Sequence, residues 1–528
     1  MAIEESLQQG ISLAGQGKLH QALSIFEDIL KDCPDEPRVL FNAAVINNRL
    51  GYKDRALILL QRSIDADSSF ANPYYYLGQL YLQNGCYQEA YEAFRNTIAR
   101  DIEFASAYEG ARSAASAMGL SIIADESDVI FYTGGYPFHG RSMEEKGLGG
   151  SESALIYMAR ALAAKGIKAR VFCNCEKPGT YDGVRYDDLV DFHIYRNLYK
   201  LPVLISSRSM RPFKLDLQAQ FRILWIHDDV NVPFLENECP ASLPIDRIFA
   251  ISHWQRDVWS RHFSIPAERF FLTRNGVDLK LFKPVEKRVR HRLVYASRPD
   301  RGLNVLLKLF PSIRQQVPDA ELHIYTYQLP DDKLNNVVWQ QALQSGVVTV
   351  QRPHLTSPLP LYPHQGGGQG EETFFPRPWW EGLGEGGELI PGVYIRRGLP
   401  KAALAEEMAT ARLMVYPSTW RETSCIAAIE AQAAGTPIVA STLAALPETV
   451  LDGVSGRLIP GDPNTAEFGH RFVETVVGLM NNDETWQRLS RGARHRTELL
   501  YDWNIIAKEW IIEIQRLVDA KNGNNLLF

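Results

Sequence analysis

Along the first 117 residues, small and apolar positions recur with a 34-residue period. Gly17, Gly51 and Gly85 stand in register, as do Ala22, Ala56 and Ala90, then Phe26, Leu60 and Phe94, then Leu30, Ile64 and Ile98. The columns predict paired helices: Gly ends the first helix, Ala lets the pair approach, and the aromatic fills the space between pairs. SAYEGARSAASAMG predicts a closing helix over the last repeat. From about residue 127 the pattern changes to short apolar runs: DVIFY, ARVFCN, VLISS, RILWIH and RIFAIS. Helical stretches such as ESALIYMARALAAKG separate several of them. A second set runs through RLVYAS, ELHIYTY, RLMVYPS and PIVAS, with helices expected at 302–317 and 426–434.

The period resembles the tetratricopeptide repeat, most closely in the third copy, where Tyr74, Leu77, Gly78, Tyr81, Ala90 and Phe94 fall at that family's spacing. Strands alternating with helices predict parallel, doubly wound sheets. The two sets join near NGVDLKLFKP and predict two Rossmann-like lobes, with ligands beyond the carboxyl ends of the strands. The fold class is therefore an α-solenoid followed by an α/β pair of lobes. Expected boundaries are 1–120 for the repeats, 127–285 for the first lobe and 286–500 for the second. Residues 501–528 are expected to form a helix packing back on the first lobe. Residues 353–391, rich in Pro and Gly and without a usable period, read as an insertion. Phe374, Phe375, Trp379 and Trp380 within it suit either an acceptor lid or a surface excursion.

Composition excludes more than it selects. The net charge of −6 gives no electrostatic footprint for nucleic acid. The six scattered cysteines suit a reducing, cytoplasmic setting rather than a disulfide framework. Cys173-x-Cys175 lacks a second ligand pair and reads as a strand end. MAIEESLQQG has no signal-peptide character, and no apolar run is long enough to span a bilayer. Peripheral membrane contact stays open.

The chemistry concentrates in PSTWRETSCIAAIEAQAAGTP. A strand (RLMVYPS) leads through a loop carrying Glu422 into a helix carrying Glu430 and closed by Gly435. The amides of Thr423, Ser424, Cys425 and Ile426 sit at the helix N-terminus, which suits a phosphate. Glu430 is placed to reach a ribose diol and Glu422 a sugar beyond the phosphates. One loop is thus expected to hold nucleoside, diphosphate and hexose in line.

ETSCIAAIEA, followed by AAGTPIVAS and LPETVLDGVSGRLIP, resembles the retaining GT-B glycosyltransferases of family 4. The resemblance covers most of 127–520 outside the insertion. It implies donor-sugar contacts for Glu422 and ribose contacts for Glu430. It implies a glycine loop near the donor phosphate at Gly149 and Gly150, and a histidine at the reaction centre at His227. Arg298 and Arg301 are implied to grip the diphosphate, with Arg301 just before Gly302. Arg298, Arg301, the glycine loop, the helix-start amides and both acids form the expected donor-binding set; His227, Glu422 and Arg301 form the expected catalytic set.

The expected reaction is hexose transfer from a UDP- or GDP-sugar to a glycan, lipid or protein acceptor, retaining configuration. Neither cofactor nor metal is expected, because the Asp65–Asp67 pair lies in the repeats. The repeats are expected to hold an acceptor or a protein partner. Two other readings stay open: a repeat scaffold with inactive lobes, and a protein Ser/Thr O-glycosyltransferase, whose fusion order occurs in O-linked N-acetylglucosamine transferases.

Overall fold

The computed structural model describes residues 2–101, 104–119, 127–231, 239–326, 391–397 and 399–521. The segment read as an insertion lies outside the described residues up to position 390, as do its four aromatics.

Seven helices form the solenoid: α1 (Ala2–Gly15), α2 (Leu19–Asp32), α3 (Pro37–Arg49), α4 (Lys53–Ala66), α5 (Ala71–Gln83), α6 (Tyr87–Arg100) and α7 (Ala105–Ala117). The periodic columns explain its packing. Phe26 and Phe94 are buried between pairs. A methyl group on Gly78 would stand 2.8 Å from the Phe94 ring and one on Gly110 2.5 Å, so only a hydrogen leaves room for the ring.

The first lobe opens with β1 (Val129–Thr133), α8 (Ser142–Glu145) and α9 (Gly150–Ala163). Next come β2 (Ala169–Cys173), β3 (Gly179–Tyr181), β4 (Val184–Asp188), α10 (Leu189–Leu198), β5 (Leu201–Ser207) and β6 (Ala219–Trp225). It ends with β7 (Arg247–Ala250), α11 (His253–Phe263) and β8 (Phe270–Leu272). The sheet order is β3-β4-β2-β1-β5-β6-β7-β8, parallel except where β3 meets β4. The sequence pattern had not shown β3, β4 or β8.

The second lobe contains β9 (Arg292–Ala296), α12 (Leu303–Gln316), β10 (Glu321–Thr326), β11 (Val393–Arg397), α13 (Lys401–Thr410) and β12 (Leu413–Tyr416). It continues through α14 (Ile426–Ala433), β13 (Ile438–Ser441), α15 (Leu446–Thr449), β14 (Gly456–Ile459), α16 (Ala466–Asn481) and α17 (Asp483–Leu500). Its described strands are all parallel, in the order β11-β10-β9-β12-β13-β14. The last helix, α18 (Trp503–Lys521), returns to the first lobe. There Trp503, Ile506, Ala507 and Trp510 join the core beside Trp225, and Trp510 Nε1 donates to Thr273 Oγ1 at 2.7 Å. The outgoing and returning crossings touch, with Val277 N donating to Tyr501 O at 2.7 Å.

The solenoid docks on α10. Ile194 joins the apolar cluster of Phe94 and Tyr108, and Arg95 Nε donates to Asp191 at 2.9 Å.

Candidate active site

The carboxyl ends of β6, β9 and β12 carry the expected site residues. Beyond β12, the loop from Pro417 reaches α14 through Cys425, whose φ of 62° lies in the left-handed region. A side chain there is strained, so the tight helix entry costs backbone energy. Glu422 in this loop is 4% exposed. Its Oε1 accepts from Arg301 Nη1 at 2.7 Å and from the Tyr416 hydroxyl at 2.6 Å. Burial, and then the Glu422 charge, push the Tyr416 hydroxyl well above its ordinary pKa, so it stays a donor to that carboxylate.

Arg301 ends the turn after β9. Gly302 follows with φ of 98°, and a methyl group there would lie 2.2 Å from the Pro417 carbonyl. The glycine therefore lets the β9 and β12 loops touch, which brings Arg301 to Glu422. The guanidinium also lies 5.3 Å over the Trp420 ring. Arg298 is placed differently. It pairs with Asp300 at 2.9 Å, and the structure does not join it to the Arg301–Glu422 pair.

Glu430 is the fifth residue of α14 and is 3% exposed. It accepts a hydrogen bond from Lys401 Nζ at the start of α13. Sequence reasoning missed Lys401. The pair gives Glu430 a structural role beside any ligand contact, since a lone buried carboxylate is costly.

From the first lobe, Gly149 caps α9 and Gly150 begins it. A methyl group on Gly149 would fall 2.3 Å from Glu152 Oε2, and one on Gly150 3.1 Å from Ile426 Cδ1. The N-terminal turns of α9 and α14 therefore meet across the cleft. His227 follows β6, and its main-chain oxygen accepts from Thr423 Oγ1 at 2.6 Å. Among the described residues, its buried Nε2 has no hydrogen-bond partner. Its pKa is pushed down to about 3, first by burial and then by Arg208, so the imidazole is neutral near pH 7. Arg208, also missed, grips Asp228 with two hydrogen bonds of 2.7 and 3.1 Å and donates to Ser151 at 3.2 Å. The structure thus gathers Gly149, Gly150, His227, Arg301, Glu422, Thr423 and Ile426 around one cleft. Ser424 and Cys425 are buried in the loop between them, and Glu430 lies one turn deeper.

Residues 372–481 match the family model described as glycosyl transferases group 1. The second lobe carries a glycosyl transferases group 1 domain. The matched span holds Lys401, Glu422 and Glu430, and it begins within the segment read as an insertion. Residues 7–69 match the tetratricopeptide repeat. The D-inositol 3-phosphate glycosyltransferase of Streptomyces bingchenggensis is 29% identical over 257 residues, covering 48% of this chain and 49% of that protein. The MMP alpha-(1->4)-mannosyltransferase of Mycolicibacterium hassiacum is 25% identical over 292 residues, covering 54% of this chain and 57% of that protein. The chain thus spans about half the length of these curated relatives. Sucrose-phosphate synthase from Thermosynechococcus elongatus superposes with a TM-score of 0.55 at 16% identity, over 74% of this chain and all of that one. Anabaena Alr3699/HepE in complex with UDP-glucose gives 0.50 at 14% identity, over 74% and 99%. At such identities the likeness establishes the fold, and that fold is GT-B. The region matching the glycosyl transferase model thus lies in the second of two lobes behind a tetratricopeptide solenoid. No helix among the described residues is long and apolar enough to cross a membrane.

Proposed function

We propose that the protein transfers a hexose from a nucleotide-diphosphate sugar, UDP- or GDP-linked, to an acceptor hydroxyl with retention of anomeric configuration and without a metal. The carrying observation is the meeting of the α9 and α14 N-termini beside the Arg301–Glu422 pair. Two sets of helix-start amides and one guanidinium suit a diphosphate, and they stabilise the negative charge that grows on it as the glycosidic bond breaks.

In this reading Glu422, on the loop before α14, contacts hexose hydroxyls, and Glu430 contacts the ribose from one turn within the helix. His227 offers a neutral imidazole to the donor sugar. The acceptor hydroxyl bonds to the anomeric carbon on the face the diphosphate leaves, and its proton passes to a departing phosphate oxygen. No side chain is needed as a nucleophile. The similarity to a UDP-glucose complex supports the donor class, and the relatives' names support sugar transfer. The solenoid holds the acceptor or a protein partner, and the six free cysteines suit a cytoplasmic setting.

The test is a thermal-shift panel of UDP- and GDP-sugars on the full chain, followed by transfer assays with and without EDTA. A specific sugar nucleotide should raise the melting temperature by mass action. No response to any member, or a loss of turnover that added metal restores, would overturn the reading.

A further inference from the structure

The motif LPETVLDGVSGRLIP has no part in the site described so far, yet its Glu448 crosses the cleft. Its Oε2 accepts from the His253 amide at 2.7 Å and its Oε1 from the Trp254 amide at 2.7 Å. These are the first two amides of α11, which have no acceptor within their own helix. The local cap, Ser252, serves Gln255 N instead, at 3.1 Å. A carboxylate of the second lobe therefore completes a helix of the first, at the end where the helix dipole favours negative charge.

Both ends of this contact lead to the site. On the donor side, Glu448 sits in α15, which is tied to the Glu422 loop. Ala445 N donates to Glu422 O at 3.0 Å, and Thr449 Oγ1 donates to Ser424 O at 2.9 Å. On the other side, α11 fixes the chain beside His227. Gln255 Nε2 and Trp259 Nε1 both donate to the Asp228 carbonyl, at 3.0 and 3.1 Å. Trp259 also lines, with His227 and Arg208, the small pocket behind the imidazole.

We propose that Glu448 is a positioning residue that caps α11 from the opposite lobe and so couples closure of the cleft to the placement of His227. Ile426 packs against Gly150 between the two helix N-termini, so a donor enters by parting the lobes. Parting them uncaps α11, and closing over the donor restores the cap and fixes the His227 turn. The functional half of this proposal rests on the transferase reading; the contact itself does not.

Hydrogen–deuterium exchange on the full chain separates the two. The His253 and Trp254 amides report the contact, and Gln255 N, held by the local cap Ser252, is the internal control. Glu448→Ala should speed exchange at His253 and Trp254 by about tenfold or more, the effect of losing a charged acceptor, with Gln255 unchanged. Glu448→Gln keeps one acceptor oxygen and should release one of the two amides. UDP and GDP affinities should stay within about twofold, while hydrolysis of UDP-glucose or of the panel's best sugar nucleotide slows by about tenfold, a loss in kcat rather than KM. Unchanged exchange at His253 and Trp254 would overturn the proposal. So would acceleration spread across both lobes, or a loss of nucleotide affinity equal to the loss of rate. Failure of the wild-type protein to bind UDP and GDP would count against the transferase reading, and the exchange result would still decide the contact.

Discussion

Arg301 donates to Glu422 at 2.7 Å although 121 residues separate them in the chain. Adjacent parallel strands explain this. β9 and β12 pair at Leu293 and Leu413, so their carboxyl-end loops emerge side by side. Removing one partner of a buried pair costs about 3–5 kcal/mol, and the Tyr416 hydroxyl keeps Arg301→Ala at the low end. The same change should weaken UDP or GDP by about one to two decades, with Arg301→Lys losing less. Calorimetric titration with both nucleotides checks this. Unaltered affinity in Arg301→Ala would remove Arg301 from the diphosphate site.

Glu430 and Lys401 allow structure and binding to be separated. Lys401→Met leaves a buried carboxylate without its partner and should cost about 3 kcal/mol. Adding Glu430→Gln should recover most of that, because two neutral groups replace one isolated charge. Nucleotide affinity should not recover if the carboxylate also holds the ribose. Urea unfolding and UDP titration on the single and double variants provide the cycle. Recovery of both properties together would give the pair a structural role alone.

Gly302→Ala tests the loop contact. Its φ of 98° and the 2.2 Å approach to the Pro417 carbonyl leave an added methyl no place without backbone movement. The conformational cost alone is about 1–2 kcal/mol, and the clash adds to it. Stability and nucleotide affinity should fall together, because Arg301 moves with the turn. Gly149→Ala meets only the Glu152 carboxylate, an end that can rotate, and should cost less. Equal melting temperatures for the two variants would contradict this account.

Much of this site was legible because chemistry and strand order coincide. Glu422, Glu430, Arg301, His227 and the glycine pair each stand just beyond an apolar run, or in the helix that follows it, and parallel sheets gather such ends. Lys401 was not legible. Its partner Glu430 is 29 residues away, and only tertiary packing turns α13 toward α14. Arg298 has its charge where the sequence placed it, but the pair it makes with Asp300, two residues on, was not read from the pattern. Arg208 was not legible because its partners Asp228 and Ser151 stand 20 and 57 positions away, and only the fold joins them. β3, β4 and β8 are only three to five residues long, and VRYDD in β4 carries charges that break the apolar run.

The solenoid is fastened rather than tethered. Arg95 reaches Asp191 at 2.9 Å and Asp188 at 3.6 Å, and Ile194 enters the solenoid's own apolar cluster. Burial, and the Asp187 and Asp188 charges, raise the Asp191 pKa despite Arg95. Arg95→Ala should therefore leave Asp191 buried without its main cation and loosen the junction. Limited proteolysis should then separate the solenoid from the first lobe faster than in the wild type, with nucleotide affinity unchanged. A fall in UDP or GDP affinity would instead make the solenoid part of the donor-binding body.

His227 gives a pH signature with a definite sign. Its pKa in the folded protein is pushed down to about 3, whereas an unfolded histidine titrates near 6.5. Above about 6.5 both states are neutral at this residue and its contribution to stability is fully present. Between the two values the unfolded chain holds a proton that the folded one lacks. Stability is therefore lost as pH falls through that window, by up to about 1.4 kcal/mol per pH unit for one proton. His193, pushed down to about 4 by burial, adds a second loss of the same sign. His227→Gln should therefore flatten the stability curve between about pH 4 and 6 without making it level. Above pH 7 it should run parallel to the wild type. Urea unfolding at half-unit pH steps reads the difference directly. Curves that stay parallel down to pH 4 would mean that His227 takes up its proton in the folded protein as readily as in the unfolded chain. The burial that keeps this imidazole uncharged down to acid pH would then be wrong.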